Sequence, residues 1–186
     1  METFDFGDGP VPAHRHRNPD GTEGGWVANT ANVADTVIIT SNARVYEYAK
    51  VSGFAQVYEK AQIFGNAKVF GSAQVFGKAQ VSGNAKVFGK ARVFDTAKVF
   101  GNALVFGKAQ VFGFAQVSGN AKVFVDSKVF DFAKVSGASC VHESAIVCGY
   151  ARVFGDMQIS GDTKVSGDIN VSEALPVCSA QSILGW

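Results

Sequence analysis

The sequence is poor in the residues that often build reactive sites. It has only three histidines, three cysteines and two methionines in 186 residues. The cysteines, Cys140, Cys148 and Cys178, are odd in number and fit no metal-ligand spacing, which predicts reduced thiols and a cytoplasmic protein. No apolar run approaches the roughly 20 residues of a membrane-spanning helix, and the acidic N-terminal residues do not resemble a signal peptide. A membrane partner is therefore not expected.

Motifs of several common functional classes are also missing. There is no Gly-rich phosphate loop, no Cys–His nucleophile pair, no cluster of carboxylates and no threonine ladder of the kind that orders ice. The formal net charge of +1 does not indicate a polyanionic partner, so nucleic acid is not expected. The sequence predicts no cofactor.

What the chain does contain is one short repeat. Valine or isoleucine recurs at every sixth residue from Val27 to Val177, without an insertion. Alanine stands two residues before most of these positions, and glycine or a polar residue follows two after, as in "GNAKVFGKARVFDTAKVFG". Alternation of small apolar and polar residues indicates short strands, and glycine indicates turns between them. Such strands all present the same face, so they can stack in parallel only by coiling.

This V-x-G-N-A-K pattern resembles the hexapeptide-repeat family. The resemblance implies an all-β fold, a left-handed parallel β-helix of triangular section with about eight to nine coils of 18 residues. Repeat-only proteins of this type occur in bacterial and bacteriophage genomes, where many are labelled transferases by fold analogy. If the chain is phage-encoded, its expected location is the host cytoplasm.

The repeat also predicts the domain boundaries. Residues 1–25 are expected to form an irregular N-terminal leader, residues 26–178 the β-helix and residues 179–186 a C-terminal cap. Open strand edges invite polymerisation unless they are covered. We expect Phe4, Phe6 and Trp26 to cover the first coil, and Ile183, Leu184 and Trp186 to form a lid on the last.

Catalysis is an open alternative that depends on the resemblance. Many family members are acyltransferases with a histidine base and a loop that interrupts the repeat. Here the repeat has no interruption, and His142, beside Glu143 and Ser144, is the candidate base. No metal site is predicted. His14 and His16 could hold a metal ion from one side of a strand, but the pattern is weakly specific and an ordinary exposed loop is the favoured explanation.

Sorting the repeat by 18 residues gives three faces and three corners. Face A contains Val27, Val45 and Ile63; face B contains Val33, Val51 and Val69; face C contains Ile39, Val57 and Val75. Aromatic residues recur at the corners that follow faces B and C, which we name the BC and CA corners. The BC row is Phe70, Phe88, Phe106 and Phe124, and the CA row is Tyr58, Phe76, Phe94, Phe112 and Phe130. These rows are expected to stack within the chain, to bind another subunit, or both.

Face C lies between the two aromatic rows, and its outward strip includes Gln74, Arg92 and Gln110. An almost uncharged strip framed by aromatic rows favours a flat protein contact. Because family members commonly trimerise, we expect a homo-oligomer, with a trimer favoured, that buries face C and its corners. The function expected first is thus a non-enzymatic structural or interaction protein.

A second surface is basic. Residues 60–125 contain many lysines but only one acidic residue, Asp95. The candidate anion-binding lysines on face B and the neighbouring corner are Lys50, Lys68, Lys86, Lys90, Lys108 and Lys122. They predict either a site for small anions or nucleotides, or simply a solvated face that resists aggregation.

Overall fold

The structure is a computed structural model, and it describes residues 2–172 together with the backbone of the strand Ser182–Leu184. All regular elements in these residues are β-strands. Consequently, none of the residues that the structure describes forms a helix able to span a membrane. The predicted all-β coil is confirmed: parallel strands stack 18 residues apart into a β-solenoid of about eight turns.

Three sheets form the three faces of the solenoid. The sheet of face A begins with the leader strands β1 (Thr3–Asp5), β2 (Pro10–Arg17) and β3 (Glu23–Ala28). It continues with Arg44–Val45, Gln62–Ile63, Gln80–Val81, Lys98–Val99, Gln116–Val117, Lys134–Val135, Arg152–Val153 and Asn170–Val171.

The other two faces contain repeat strands throughout. Face B consists of Asn32–Val33, Lys50–Val51, Lys68–Val69, Lys86–Val87, Leu104–Val105, Lys122–Val123, Cys140–Val141 and Gln158–Ile159. Face C consists of Ile38–Ile39, Gln56–Val57, Gln74–Val75, Arg92–Val93, Gln110–Val111, Lys128–Val129, Ile146–Val147, Lys164–Ser166 and Ser182–Leu184.

Identical register positions lie above one another. Lys68 pairs with Lys50 on one side and Lys86 on the other, and Val69 pairs with Val51 and Val87. In each two-residue strand the first side chain points outward and the second inward, so Val and Ile form one interior column per face with Ala beside it. Ile63, Val87 and Ala85 have no exposed surface. The interior therefore follows directly from the six-residue period.

Three polar residues replace alanine in the interior without leaving a buried group unpaired. The hydroxyl of Ser127 lies 2.8 Å from the carbonyl of Phe124 and 3.1 Å from that of Val141. Ser139 bonds the carbonyls of Ser136 and Gly155 in the same way. Thr163 is also buried. A buried hydroxyl is tolerated when it finds such an acceptor, so these substitutions preserve the packing.

From Glu47 to Gly167, each turn has a residue with positive φ two positions after the inward valine or isoleucine. Glycine occupies most of these positions, but acidic residues occupy several, with φ of 56° at Glu47 and 59° at Asp95. Their carboxylates accept a hydrogen bond from the backbone N–H one coil later, at Gly65 and Gly113 respectively. Val125 makes the same turn at φ 64°. A β-branched residue is an outlier in this region, so this turn is strained.

The N-terminal leader differs from the irregular segment predicted. β1, β2 and β3 form an antiparallel meander that extends the sheet of face A. The rings of Phe4 and Phe6 stack on Trp26 and Tyr46 at 4.7 and 4.8 Å. They extend the aromatic exterior of the molecule beside face A. The expected covering of the first coil by these aromatic side chains is thus replaced by an outside contact.

Two polar leader residues instead complete the first strand of face C. The amide of Ile39 donates to the Oδ1 atom of Asn18 at 2.9 Å, and the Nε2 atom of His16 lies 2.9 Å from the carbonyl oxygen of Val37. Both side chains are buried. They satisfy the groups that a preceding strand would bind, and so cover an edge that would otherwise be open.

The C-terminal end is described in one strand only. Ser182–Leu184 pairs in parallel with Lys164–Ser166, which adds backbone hydrogen bonds beyond the repeat. Residues 173–181 and 185–186 lie outside the described residues, as does the predicted lid residue Trp186. The proposed role of Ile183 and Leu184 as a lid stays a prediction.

We predict that Asn18→Ala lowers the free energy of unfolding by about 1–3 kcal/mol, because the buried amide of Ile39 loses its acceptor. The matched control is Asn42→Ala, at an exposed turn position, which should leave stability nearly unchanged. Urea denaturation measures both, and hydrogen exchange should accelerate at Ile39 in the first variant. Unchanged protection of Ile39 would contradict the capping role.

Candidate functional site

Both predicted aromatic rows are present as stacked rings. Phe70, Phe88, Phe106 and Phe124 lie 4.8 Å apart between ring centroids and within 5° of parallel. Phe76, Phe94, Phe112 and Phe130 have the same spacing and lie within 6° of parallel. All eight rings are half-buried, as is Tyr58, where burial raises the pKa of the phenol. Stacking within the chain is therefore one role of these residues.

His142, the candidate base, is the next ring of the BC row. Its imidazole stacks on Phe124 with a centroid distance of 4.9 Å and an angle of 14°. The Nδ1 atom lies 4.0 Å from a carboxylate oxygen of Glu143, whose other oxygen accepts the N–H of Gly161. The position of His142 is thus explained by packing against the row below it.

A third aromatic row lies on the CA corner, and the sequence analysis missed it. Phe114, Phe132 and Tyr150 stand two residues beyond the predicted row and stack at 5.0 and 4.9 Å. Unlike the predicted rows, these rings are open to solvent, with exposed fractions of 54%, 44% and 58%. We name this set the exposed row. The signal was available, because the three residues are 18 apart in the sequence.

The exposed row forms one wall of a groove against face A. The groove has a volume of about 400 Å³, and its other wall carries Lys98, Gln116, Lys134 and Arg152. Phe132 is covered on both faces and Phe114 and Tyr150 on one face each, so the row offers mainly ring edges to the groove. A nucleobase needs an open ring face to stack. The row is therefore suited to an apolar contact rather than to a single-stranded nucleic acid.

The outward strip of face C is ordered by contacts within the chain. The amide of Gln74 donates to Gln56 at 2.8 Å, and the guanidinium of Arg92 lies 5.2 and 5.3 Å from the rings of Phe76 and Phe94. Gln110 is half-buried. The predicted interface residues of face C thus form a continuous surface with the CA corner.

The predicted lysines separate into two groups. Lys50, Lys68 and Lys86 are in register on face B, and Leu104 separates them from Lys122. A groove of about 350 Å³ joins the first three lysines to Tyr48, Asn66 and Asn84. Lys90 and Lys108 lie on the opposite BC corner, where Lys108 approaches Asp126 at 3.8 Å.

A row of asparagines accompanies the first group of lysines. Asn84 donates to Asn102 at 3.2 Å, and Asn102 donates to Asn120 at 3.1 Å. Each of these side-chain amides has a second N–H, because an NH₂ group carries two hydrogens. The groove that Lys50, Lys68 and Lys86 share with Asn66 and Asn84 has no carboxylate in its lining. Chemically it can accept an anion.

His14 and His16 take different partners in the structure. His14 is exposed and its Nδ1 atom lies 2.9 Å from Asn29, whereas His16 is buried against Val37. A register irregularity in β2 separates them. In the part of the chain that is described, no three His, Cys, Asp or Glu side chains come together as a metal site.

Two of the cysteines lie in the described coils, and both are free thiols. Cys148 follows the CA row and is buried, and this burial raises the pKa of its thiol. A raised pKa lowers the thiolate fraction at neutral pH, which makes the sulfur less reactive. Cys178 lies outside the described residues.

We predict that His142→Phe retains the wild-type free energy of unfolding or raises it, because phenylalanine continues the BC row. His142→Ala should lose stability, by about 0.5–1.5 kcal/mol for the aromatic pair plus the buried area. Urea denaturation of the two variants gives the comparison. Equal loss in both variants would show that the imidazole has a role that stacking does not explain.

The comparisons with known proteins agree with this architecture. Residues 61–77 match a family model described as the YdcK beta solenoid repeat. No curated protein matches the chain. The match covers one part of a repeat that continues unchanged in both directions, from Val27 to Val171 in the described residues. The repeat and the stacked coils show a β-solenoid and fit a hexapeptide-repeat-like β-helix.

Proposed function

We propose that this protein is a non-enzymatic interaction protein that self-associates through its CA corner and face C. The observation that supports the proposal is the exposed row of Phe114, Phe132 and Tyr150. Contiguous exposed aromatic side chains are rare on a monomer and usually mark a contact surface. The half-buried CA row beside them extends the same apolar ridge.

The second copy is the occupant that fits this ridge. Face C presents Gln110, Lys128 and Ile146 in the same coils as the exposed row, and Gln56 and Gln74 in earlier coils. With two solenoids parallel, the ridge of one copy meets this mostly uncharged strip at the same height. Contact between two different surfaces of one chain closes into a ring when the rotation permits. A trimer is the ring that suits a three-sided molecule.

The interior supports a role without catalysis. Columns of Val or Ile and of Ala fill the solenoid, with Ser127, Ser139 and Thr163 at three alanine positions, and no insertion displaces a coil from register between Val45 and Val153. His142 is held in the BC row. The side chains that differ from coil to coil therefore lie on the surface. Surface side chains are sufficient for a protein whose role is to bind a partner.

We predict that the double variant Phe132→Ser and Tyr150→Ser dissociates the oligomer. Both side chains are exposed, so the fold should persist while the contact loses its apolar area. The matched control is Phe54→Ser, an exposed phenylalanine on the BC corner with an exposed fraction of 70%. Sedimentation velocity at tens of micromolar should show an oligomer for the wild type and for the control.

Two results would contradict the proposal. If the wild-type protein sediments as a monomer at these concentrations, the CA corner and face C do not form a self-association interface. An oligomer that survives the double variant uses a different surface. Circular dichroism of each variant shows that the solenoid is intact, so a loss of association is not a loss of folding.

Anion binding is a second candidate function, favoured by the groove of Lys50, Lys68, Lys86, Asn66 and Asn84. Three like charges in register repel one another, and an anion between them relieves this repulsion. Tripolyphosphate is a suitable probe for isothermal titration calorimetry. Binding should weaken as salt rises, because the lysines are exposed.

We predict that Lys68→Gln with Lys86→Gln weakens tripolyphosphate binding by about tenfold, roughly 1.4 kcal/mol. The control is Lys90→Gln, which removes a lysine from the opposite BC corner and should leave the affinity unchanged. If the wild type releases no heat at low salt, or if both variants lose affinity equally, the groove is not the site.

A further inference from the structure

A separate groove lies where the N-terminal leader packs against the first coils. It has a volume of about 410 Å³, within the range of small-molecule sites. We name it the leader groove. Most of its lining is apolar or aromatic: Phe6, Val11, Pro12, Ala28, Tyr46 and Tyr48. It lies on the corner after face A, so it shares no residue with the exposed row or with face C.

All the charged side chains that line the leader groove are acidic. They are Asp8, from the turn between β1 and β2, and Glu47, from the first turn after Val45. Lysine and arginine are absent from the lining. A concave apolar surface with two carboxylates is complementary to a ligand that combines an apolar body with a positive charge.

Local structure holds the carboxylate of Glu47 and the backbone turn that carries Asp8. Glu47 uses its Oε2 atom to accept the N–H of Gly65 at 2.8 Å, which fixes the side chain against the next coil. The turn that contains Asp8 is held by Asp5, whose carboxylate accepts the N–H groups of Gly7 and Gly9 at 2.7 and 3.1 Å. The carboxylate of Glu47 therefore keeps its place without a ligand, and the backbone position of Asp8 is fixed beside the groove.

The aromatic side chains give the groove a rigid wall. The ring of Tyr46 is stacked between Phe6 at 4.8 Å and Phe64 at 5.0 Å. Burial, then Glu47, with a smaller contribution from Asp8, raises the pKa of Tyr46, while Arg44 opposes the effect. Burial is the largest cause, and the smaller contributions of Glu47 and Asp8 reflect the two carboxylates near this wall. Tyr48, with an exposed fraction of 66%, offers its ring to a ligand.

We propose that the leader groove binds a small organic cation, an ammonium or guanidinium group attached to an apolar body. The apolar body packs on Val11, Pro12 and the ring of Tyr48. The cation lies between the carboxylates of Asp8 and Glu47, where an aromatic face adds a cation–π contribution. A neutral ligand of the same shape lacks the charge pairing, and an anion is repelled by both carboxylates.

Three probes of similar shape test the charge preference: benzylammonium, benzyl alcohol and benzoate. Binding is followed through the backbone amide shifts of the ¹⁵N-labelled full chain. Benzylammonium should shift the amides of residues 28–30 and 46–48, benzyl alcohol should bind at least about tenfold more weakly, and benzoate should not bind. Equal affinity for the three probes, or shifts elsewhere on the molecule, would overturn the proposal.

Matched variants locate the site. Asp8→Asn with Glu47→Gln removes both charges but keeps an acceptor for Gly65, and should weaken benzylammonium binding by about tenfold. The control Glu59→Gln changes the equivalent turn residue, with φ 57°, on the CA corner, and should bind as the wild type does. Tyr48→Ala tests the aromatic wall independently of charge. Unchanged binding in the double variant and in Tyr48→Ala would exclude this groove.

Discussion

In-register hydrogen bonding between coils of 18 residues is the constraint on which the structure depends. Many backbone amides of the repeat find their acceptor one coil later, as Asn32 does at Ala49 and Lys68 at Ala85, while alanine amides such as that of Ala67 bond within their own turn. Two-residue strands are too short to be stable alone, so each is held by its neighbours above and below. A single inserted residue would misalign every later pair. This requirement for register explains why the six-residue period of the sequence is uninterrupted.

The same register places residues of the same type above one another at the corners. The contacts between them depend on the residue type. Phenylalanines stack at 4.8 Å, asparagines exchange side-chain hydrogen bonds, and carboxylates such as Glu47 bind the turn above. Lysines in register gain nothing from each other. Rows whose side chains contact one another within the chain, such as the stacked rings of the BC row, stabilise the solenoid. Rows that remain exposed or like-charged are the surfaces left for a partner.

The interior could be predicted from the sequence because its period is local, and the two half-buried aromatic rows followed from sorting by 18. The exposed row of Phe114, Phe132 and Tyr150 obeyed the same rule at a turn position where the other coils carry polar or charged residues. The roles of His16 and Asn18 could not be found this way. They bind a strand about twenty residues away through contacts that have no periodic signature, and the leader therefore appeared irregular.

Coil deletions test most directly whether function depends on continuous corner rows rather than on composition. Removing residues 83–100 deletes one coil and keeps every corner aligned, whereas removing residues 115–120 keeps the Val/Ala period but turns Phe132 and Tyr150 one corner away from Phe114. The account predicts that both variants fold, that the first still self-associates and that the second sediments as a monomer. Equal association of both variants would contradict it.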